Sequence, residues 1–169
     1  MNAYLYISGL ALIFFSPFSA SLYLSRSVLS GVCELEGYIK LIKATENEIT
    51  SYMTKQGDIF ASFKDEYLEK CGFLPLLRSS PIDECSALEH ALEEFDKNTL
   101  IPKDCFDALV RFAEVLGKTS VQKQKEACSQ CLYVLEKIHS EIKPDALKKA
   151  KVYKTIGLAA GAAAVILFI

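Results

Sequence analysis

The residues of this chain best suited to chemistry are its cysteines, two of which form the pair Cys128-Ser-Gln-Cys131. This CxxC spacing occurs in redox pairs and in half-sites for zinc. A zinc site needs a second pair of ligands at comparable spacing, which the sequence lacks, and the two histidines, His90 and His139, are isolated. A redox pair needs its attacking thiol at a helix N-terminus, where the helix dipole lowers the thiol pKa.

Cys128 instead falls about two turns inside a predicted helix, on its apolar stripe, where a buried cysteine acts as a small hydrophobic residue. We therefore interpret the pair as structural, with a membrane-tethered thiol redox protein using Cys128 and Cys131 as the alternative. The other cysteines also lie on or beside apolar stripes, namely Cys33, Cys71, Cys85 and Cys105. Scattered free thiols fit a reducing cytoplasm.

No other set of residues combines a nucleophile, a base and a group that orients the base, and the common catalytic and phosphate-binding motifs are missing from the sequence. We predict a non-enzyme without cofactor or metal. Acidic residues cluster on the predicted third helix: Asp83, Glu84, Glu89, Glu93, Glu94 and Asp96. We interpret this cluster as a solvated face rather than a docking patch. The net charge of -2 gives no reason to expect nucleic acid as a partner.

Apolar residues recur at alternating three- and four-residue steps in the middle of the chain, which is typical of helices with one buried face. The predicted helices run from Val32 to Met53, from Asp58 to Cys71, from Ser80 to Phe95 and from Pro102 to Leu116. Strands are not expected, because no stretch alternates with a period of two. The pattern predicts an all-α bundle of about five or six helices joined by short loops.

The loops follow from capping residues, glycines and prolines. Asp58 is predicted to be the N-cap of the second helix, and Gly72 is predicted to end it. The segment 73–80, which contains Pro75, is predicted to be a connection, and the segment 98–101 a turn.

The last third of the chain begins with a predicted corner between two helices. Gly117 tolerates the left-handed conformation that ends many helices, and Thr119 with Gln122 has the spacing of a capping box for the next helix. That helix carries an apolar stripe of Val121, Cys128, Cys131, Leu132, Leu135, Ile138 and Ile142. Pro144 is predicted to bend or restart the helix, because proline has no N–H.

Both ends of the chain are apolar. The segment 3–24 has no charged side chain, and its 22 or so residues make roughly 33 Å of helix, enough to cross a hydrocarbon core of about 30 Å. A cleaved signal peptide is disfavoured because no basic residue precedes Arg26. The segment 156–169 makes only about 21 Å, or about 27 Å with Val152, Tyr153 and a snorkelling Lys154. Gly157 and Gly161 form a small-xxx-small face that lets helices approach closely in lipid.

We therefore predict an N-terminal membrane helix over 1–26, a helical bundle over 27–151 and a C-terminal membrane helix over 152–169. The basic residues beside both apolar segments lie on the side of the bundle: Arg26, Lys148, Lys149, Lys151 and Lys154. Because positive residues stay on the cytoplasmic side of a membrane, the bundle is predicted to face the cytoplasm, with the N-terminus outside.

The corner and the tail also carry a family resemblance. The run FAEVLGK from Phe112 to Lys118 is followed by Gln124, by the basic run, and by Gly157 and Gly161 before an apolar end. This order resembles the stage III sporulation protein AB family of endospore-forming bacteria, whose pattern Phe-x-Glu-x-Leu-Gly-Lys and downstream Gln match Phe112, Glu114, Leu116, Gly117, Lys118 and Gln124.

The resemblance implies a membrane protein whose cytoplasmic helical bundle is similar to the platform protein of type II secretion and type IV pilus machines. It implies a scaffold in the channel that joins mother cell and forespore, located in the mother-cell membrane around the forespore. Its expected partners are membrane lipid and other stage III proteins, including the associated ATPase. A secretion or pilus platform protein outside sporulation is the remaining alternative. We interpret Phe112, Leu116, Gly117 and Gln124 as a fold-defining corner rather than a partner contact.

Overall fold

The computed structural model describes residues 2–51, 56–79 and 86–168, with the side chains of residues 15, 16, 18–49, 58–79 and 86–166. In this part of the chain every regular element is helical, which confirms the all-α prediction. The acidic residues Asp83 and Glu84, the thiol of Cys85 and the predicted helix start at Ser80-Pro81 lie outside the described residues.

Two long helices and five short ones make up the described fold. They are α1 (Asn2–Ser51), α2 (Gln56–Ser62), α3 (Glu66–Lys70), α4 (Phe73–Ser79), α5 (Ala87–Phe95), α6 (Lys103–Val115) and α7 (Val121–Phe168), with a 3-10 turn at Asp96–Asn98 between α5 and α6. The predicted turn over 98–101 therefore begins two residues earlier, as a helical turn. Pro102 is the N-cap of α6, as its fixed φ favours at the start of a helix.

The predicted helix from Val32 is continuous with the N-terminal segment, because α1 runs unbroken over 50 residues. Pro144 was predicted to bend or restart the helix, and the restart is wrong: Pro144 lies inside α7, one helix of 48 residues. One proline removes a single N–H, and the helix-forming residues on both sides keep the neighbouring turns intact.

The segment 56–71 forms two helices where the apolar pattern predicted one. Asp65 has an extended backbone, and its Oδ1 accepts hydrogen bonds from the backbone N–H groups of Tyr67, at 3.0 Å, and Leu68, at 3.1 Å. Asp65 is therefore the N-cap of α3, whereas Asp58, predicted as a cap, lies in the first turn of α2. The apolar pattern of the sequence continues in phase from α2 to α3, so it gave no indication that the helix is interrupted between them.

The predicted connection over 73–80 is wrong, since Phe73–Ser79 is a helix whose Phe73, Leu74 and Leu77 are buried. Pro75 falls in the first turn, where N–H groups have no partner within the helix, so it costs no hydrogen bond. Gly72 ends the preceding segment as predicted, with a positive φ of 92° that favours glycine.

The chain divides into two compact units. Met1–Ser30 with Ile142–Ile169 forms the end unit, and Gly31–Glu141 forms the central unit. In the central unit, an aromatic cluster joins α1, α4 and α5: Tyr38 meets Phe73 edge to face at 4.9 Å between ring centroids, and Phe73 meets Phe95 at 5.4 Å. These contacts tie the short helices to α1.

Within the central unit, α1 and α7 lie side by side in opposite directions. Three pairs of polar side chains join them: Glu36 with His139 at 3.0 Å, Lys43 with Glu136 at 2.6 Å, and Glu46 with Ser129 at 3.4 Å. Residue numbers rise along one helix as they fall along the other, so the contacts define an antiparallel pair. Among the described residues, no helix holds a stretch apolar and long enough for a membrane span.

Candidate functional site

The corner between α6 and α7 contains four of the predicted site residues. Gly117 has a left-handed φ of 72°, as predicted for the end of a helix. The N–H of Leu116 donates to the carbonyl of Phe112 at 3.0 Å, and the N–H of Lys118 donates to the carbonyl of Val115 at 3.2 Å. These bonds satisfy carbonyls at the end of α6 that the helix itself leaves open.

Gln124 completes this corner from the first turn of α7. Its side chain is buried, and its Nε2 donates to the carbonyl oxygen of Thr119 at 2.7 Å. The predicted capping box is wrong, because the Thr119 hydroxyl donates back to Val115 and the Gln122 amide donates to Glu126. The first helical bond of α7 starts at Ser120, whose carbonyl accepts from the Gln124 N–H at 3.0 Å, so Thr119 lies one residue too early to cap it.

Phe112 and Leu116 are each only 1% exposed, so their side chains belong to the core of the central unit. Gly117 is exposed, but its backbone conformation is fixed by the turn that it closes. The structure thus brings Phe112, Leu116, Gly117 and Gln124 into one corner that sets how α6 leads into α7.

Gly157 and Gly161 lie apart from the corner, in the end unit, and both are buried. The described buried residues of this unit are all small: Ser21, Ser25, Ala146, Ala150, Gly157 and Gly161. Its exposed residues include large apolar side chains: Phe15, Tyr23, Leu24, Leu147, Val152, Ile156, Leu158 and Ile166. The end unit therefore places small residues inside and large apolar residues outside.

A buried carboxylate that sequence reasoning missed holds the loop before α6. Glu34 is 1% exposed, and its two oxygens accept a hydrogen bond from the Thr99 hydroxyl at 2.6 Å and from the Leu100 N–H at 3.0 Å. Burial raises the pKa of Glu34, although the hydrogen bonds from Thr99 and Leu100 act in the opposite direction. No local signal links Glu34 to partners 65 and 66 residues away.

The Cys128 and Cys131 thiols lie on the buried face of α7, with 0% and 3% of each residue exposed. Burial raises the pKa of both thiols to about 12, and the Glu46 carboxylate adds to the effect at Cys128. A redox thiol needs a lowered pKa, since only the thiolate attacks. The environment therefore favours the structural interpretation. Among the described residues, no three His, Cys, Asp or Glu side chains are grouped as a metal ion would require.

Comparison with known protein families gives a match over nearly the whole chain. The sequence pattern of the family described as stage III sporulation protein AB matches residues 6–169, nearly the whole chain. No curated protein and no solved structure is similar enough to count as a match. The match includes both the corner and the glycines of the tail, and it extends across the segment between Met53 and Ile101 as well. The chain therefore belongs to the stage III sporulation protein AB family.

Proposed function

We propose that this chain is a membrane-anchored scaffold of the channel complex between mother cell and forespore, acting like the platform protein of a secretion machine. Its bundle faces the cytoplasm of the mother cell. Its partners are other stage III proteins, including the associated ATPase, and membrane lipid. Membership of the family supports a role in sporulation, and therefore disfavours a secretion or pilus platform outside sporulation.

The observation that carries the membrane part of this proposal is the distribution of residue sizes in the end unit. In water, burial of large apolar side chains drives helices together, so these side chains lie inside and polar residues lie outside. In lipid that driving force is absent, so helices associate through small residues that allow close backbone approach, and large apolar side chains face the acyl chains. The end unit has the second distribution, with Gly157 and Gly161 buried and Ile156 and Leu158 exposed.

The scaffold part rests on the central unit. Its largest buried side chains come from α1, α3, α4, α5, α6 and α7 and form one core, so its surface is held in a fixed shape. Burial raises the pKa of the Cys105, Cys128 and Cys131 thiols, which suits packing rather than catalysis. A protein of this kind acts by holding other proteins in place, which needs no catalytic residues, no cofactor and no nucleic acid.

A clean deletion in the endospore-forming host tests the proposal. We expect sporulation to stop after engulfment, and full-length protein to restore it. The protein should be released from membranes only by detergent and should co-purify with the partner ATPase. Normal spores from the deletion strain, or full-length protein that is water-soluble without detergent, would contradict the proposal.

A second variant separates the scaffold from the thiol redox alternative. Because both thiols serve as packing groups, the double variant Cys128→Ala and Cys131→Ala should complement the deletion strain. Loss of complementation by a double variant that is still present in the membrane at wild-type amount would instead favour redox chemistry.

A further inference from the structure

An open concavity lies in the central unit where α5 ends, the 3-10 turn follows and α6 begins. It has a volume of about 680 Å³. Its walls come from these three neighbouring elements and the loop between them: Glu93, Asp96, Thr99, Ile101, Lys103, Phe106, Asp107 and Val110. We refer to these eight residues as the acidic concavity.

The floor of the acidic concavity is apolar. Ile101 is buried, Phe106 and Val110 are half-buried, and the adjacent Leu100 leaves 59% of its surface in water. Exposed apolar surface of this kind, concave and bordered by polar groups, is typical of a site that a partner covers.

The rim of the acidic concavity carries three carboxylates and one ammonium group. Glu93 comes from α5, Asp96 from the 3-10 turn and Asp107 from α6, against the single Lys103. None of these four side chains forms an ion pair or hydrogen bond with any described residue. By contrast, Glu89, one turn before Glu93, is paired with Lys118. The rim therefore carries a net negative charge, and its carboxylates are not held in ion pairs within the described part of the unit.

We propose that the acidic concavity docks a basic amphipathic segment of another protein, with aliphatic side chains on the floor and Lys or Arg against Glu93, Asp96 and Asp107. The inference rests on the proposed scaffold function and adds where one partner binds and what its chemistry is. It departs from the interpretation of Glu93 and Asp96 as part of a solvated face, because both line a concavity with an apolar floor. Complementary charge selects and steers such a partner, and burial of the apolar floor stabilises the complex. The same carboxylates repel phosphate groups, so neither nucleic acid nor an anionic lipid surface fits this site.

Site-specific photocrosslinking in sporulating cells tests the proposal on the full-length protein. A photoreactive phenylalanine replaces Leu100, which is exposed beside the concavity, and in a control replaces Tyr133, an exposed residue of α7. We expect the Leu100 position to crosslink to a segment of another protein that carries Lys or Arg at helical spacing. The Tyr133 position should not give this adduct.

Two charge-reversed backgrounds decide whether the carboxylates are responsible. Asp96→Lys with Asp107→Lys should reduce the adduct at least tenfold. Glu126→Lys with Glu141→Lys, on an exposed face of α7, introduces the same charge change and should leave the adduct intact. Circular dichroism of the purified variants checks that both keep their helical content, so that loss of the adduct is not loss of fold.

The proposal is overturned if no adduct forms, if the adduct is on lipid, on an acidic segment or on a second copy of this chain, or if charge reversal at the concavity does not change it. A strain that sporulates normally while lacking the adduct removes the docking site and leaves the scaffold function standing. Normal sporulation of the deletion strain removes the scaffold function itself.

Discussion

At the scale of single residues, buried polar groups connect parts of the chain that are far apart in sequence. Glu34 on α1 fixes Thr99 and Leu100, and Asp65 caps α3 while its other oxygen accepts from Lys40 at 2.8 Å. The pKa of Asp65 is lowered, because its hydrogen bonds from Lys40 and the α3 backbone together exceed the effect of its burial. Such groups cost free energy when a partner is lost, so they hold loops in one arrangement.

The raised pKa of Glu34 predicts how stability depends on pH. The folded protein keeps the Glu34 proton to a higher pH than the unfolded chain, which loses it near the ordinary value of 4.5. As pH rises above that value, the unfolded state binds fewer protons, so the free energy of unfolding falls. Titrating groups other than Glu34 are common to wild type and Glu34→Gln, so they cancel when the two free energies of unfolding are subtracted. The value for wild type minus the value for Glu34→Gln should therefore decrease as pH rises above about 4.5.

This difference can be measured by chemical denaturation of the two full-length proteins in detergent at a series of pH values. A difference that grows with pH would show that the folded protein lowers the pKa of Glu34. A difference that is constant with pH would show that this pKa is unchanged on folding.

The corner predicts unequal effects of two neighbouring glutamines. Gln124→Ala removes a buried side chain and its bond to the Thr119 carbonyl, and should lower the free energy of unfolding by about 1–2 kcal/mol. Gln122→Ala removes only an exposed hydrogen bond to Glu126, and should change the free energy of unfolding by less than about 0.5 kcal/mol. Equal effects in denaturant unfolding would contradict the assignment of Gln124 to the fold.

Sequence patterns identified the position of this corner but not all of its bonds. Gly117 was predictable because only glycine adopts a left-handed turn without cost, and Gln124 was interpreted as part of a fold-defining corner. The capping box was not correct, since spacing alone cannot tell whether a helix starts at Thr119 or one residue later. The Glu34 contact was out of reach, because a side chain that bonds across 65 residues leaves no local pattern.

At the scale of elements, long stripes were predictable and short helices were not. The apolar periodicity of α1, α5, α6 and α7 extends over enough turns to be recognised in the sequence. Helices α2 and α3, of 7 and 5 residues, were predicted as one helix, and α4, of 7 residues, was predicted as a connection. They depend on tertiary burial and on the Asp65 cap, which appear only once the chain is folded.

Neighbouring residues pack so closely against two glycines of α1 that we expect replacement of either glycine by alanine to destabilise the protein. A Cβ at Gly37 would lie 2.7 Å from Cγ of the buried Leu68, and one at Gly31 would lie 2.8 Å from the Leu100 carbonyl oxygen. Alanine usually stabilises a helix by about 0.5–1 kcal/mol relative to glycine. Here we expect each substitution to destabilise the protein by about 1–3 kcal/mol, because neighbours must shift.

Thermal unfolding followed by circular dichroism measures these effects. Ser140→Ala, at an exposed position of α7, is the matched control and should leave the unfolding temperature nearly unchanged. An unfolding temperature that rises for Gly37→Ala would contradict the close packing of α3 on α1.

At the scale of the whole molecule, the sequence indicated apolar ends around a helical centre, and the membrane location of these ends stays a prediction. The central unit has the ordinary distribution of a protein in water, with Tyr38, Phe73 and Phe112 in its core. The end unit has the reverse distribution. Hydropathy could indicate apolar segments, but only the fold shows which of their residues are buried.

Deletion of residues 156–169 separates the roles of the two ends. We expect the shortened protein to remain in the membrane fraction after a high-salt wash, because the segment 3–24 still makes about 33 Å of helix. Its assembly with stage III partners should fail, since the buried face of Gly157 and Gly161 is lost. Fractionation and co-purification measure the two outcomes, and recovery of the shortened protein in the soluble fraction would contradict the first.

The bonds that Glu34 makes have a consequence for recognition. Thr99 is both a wall of the acidic concavity and a partner of Glu34, and Leu100 is held through its backbone N–H. Thr99 and the Leu100 backbone therefore lose their conformational freedom when the chain folds, and not when a partner binds. A partner segment would bind a preorganised surface, so its association would be fast. Differences in affinity between partner segments would then arise mainly from differences in their dissociation rates.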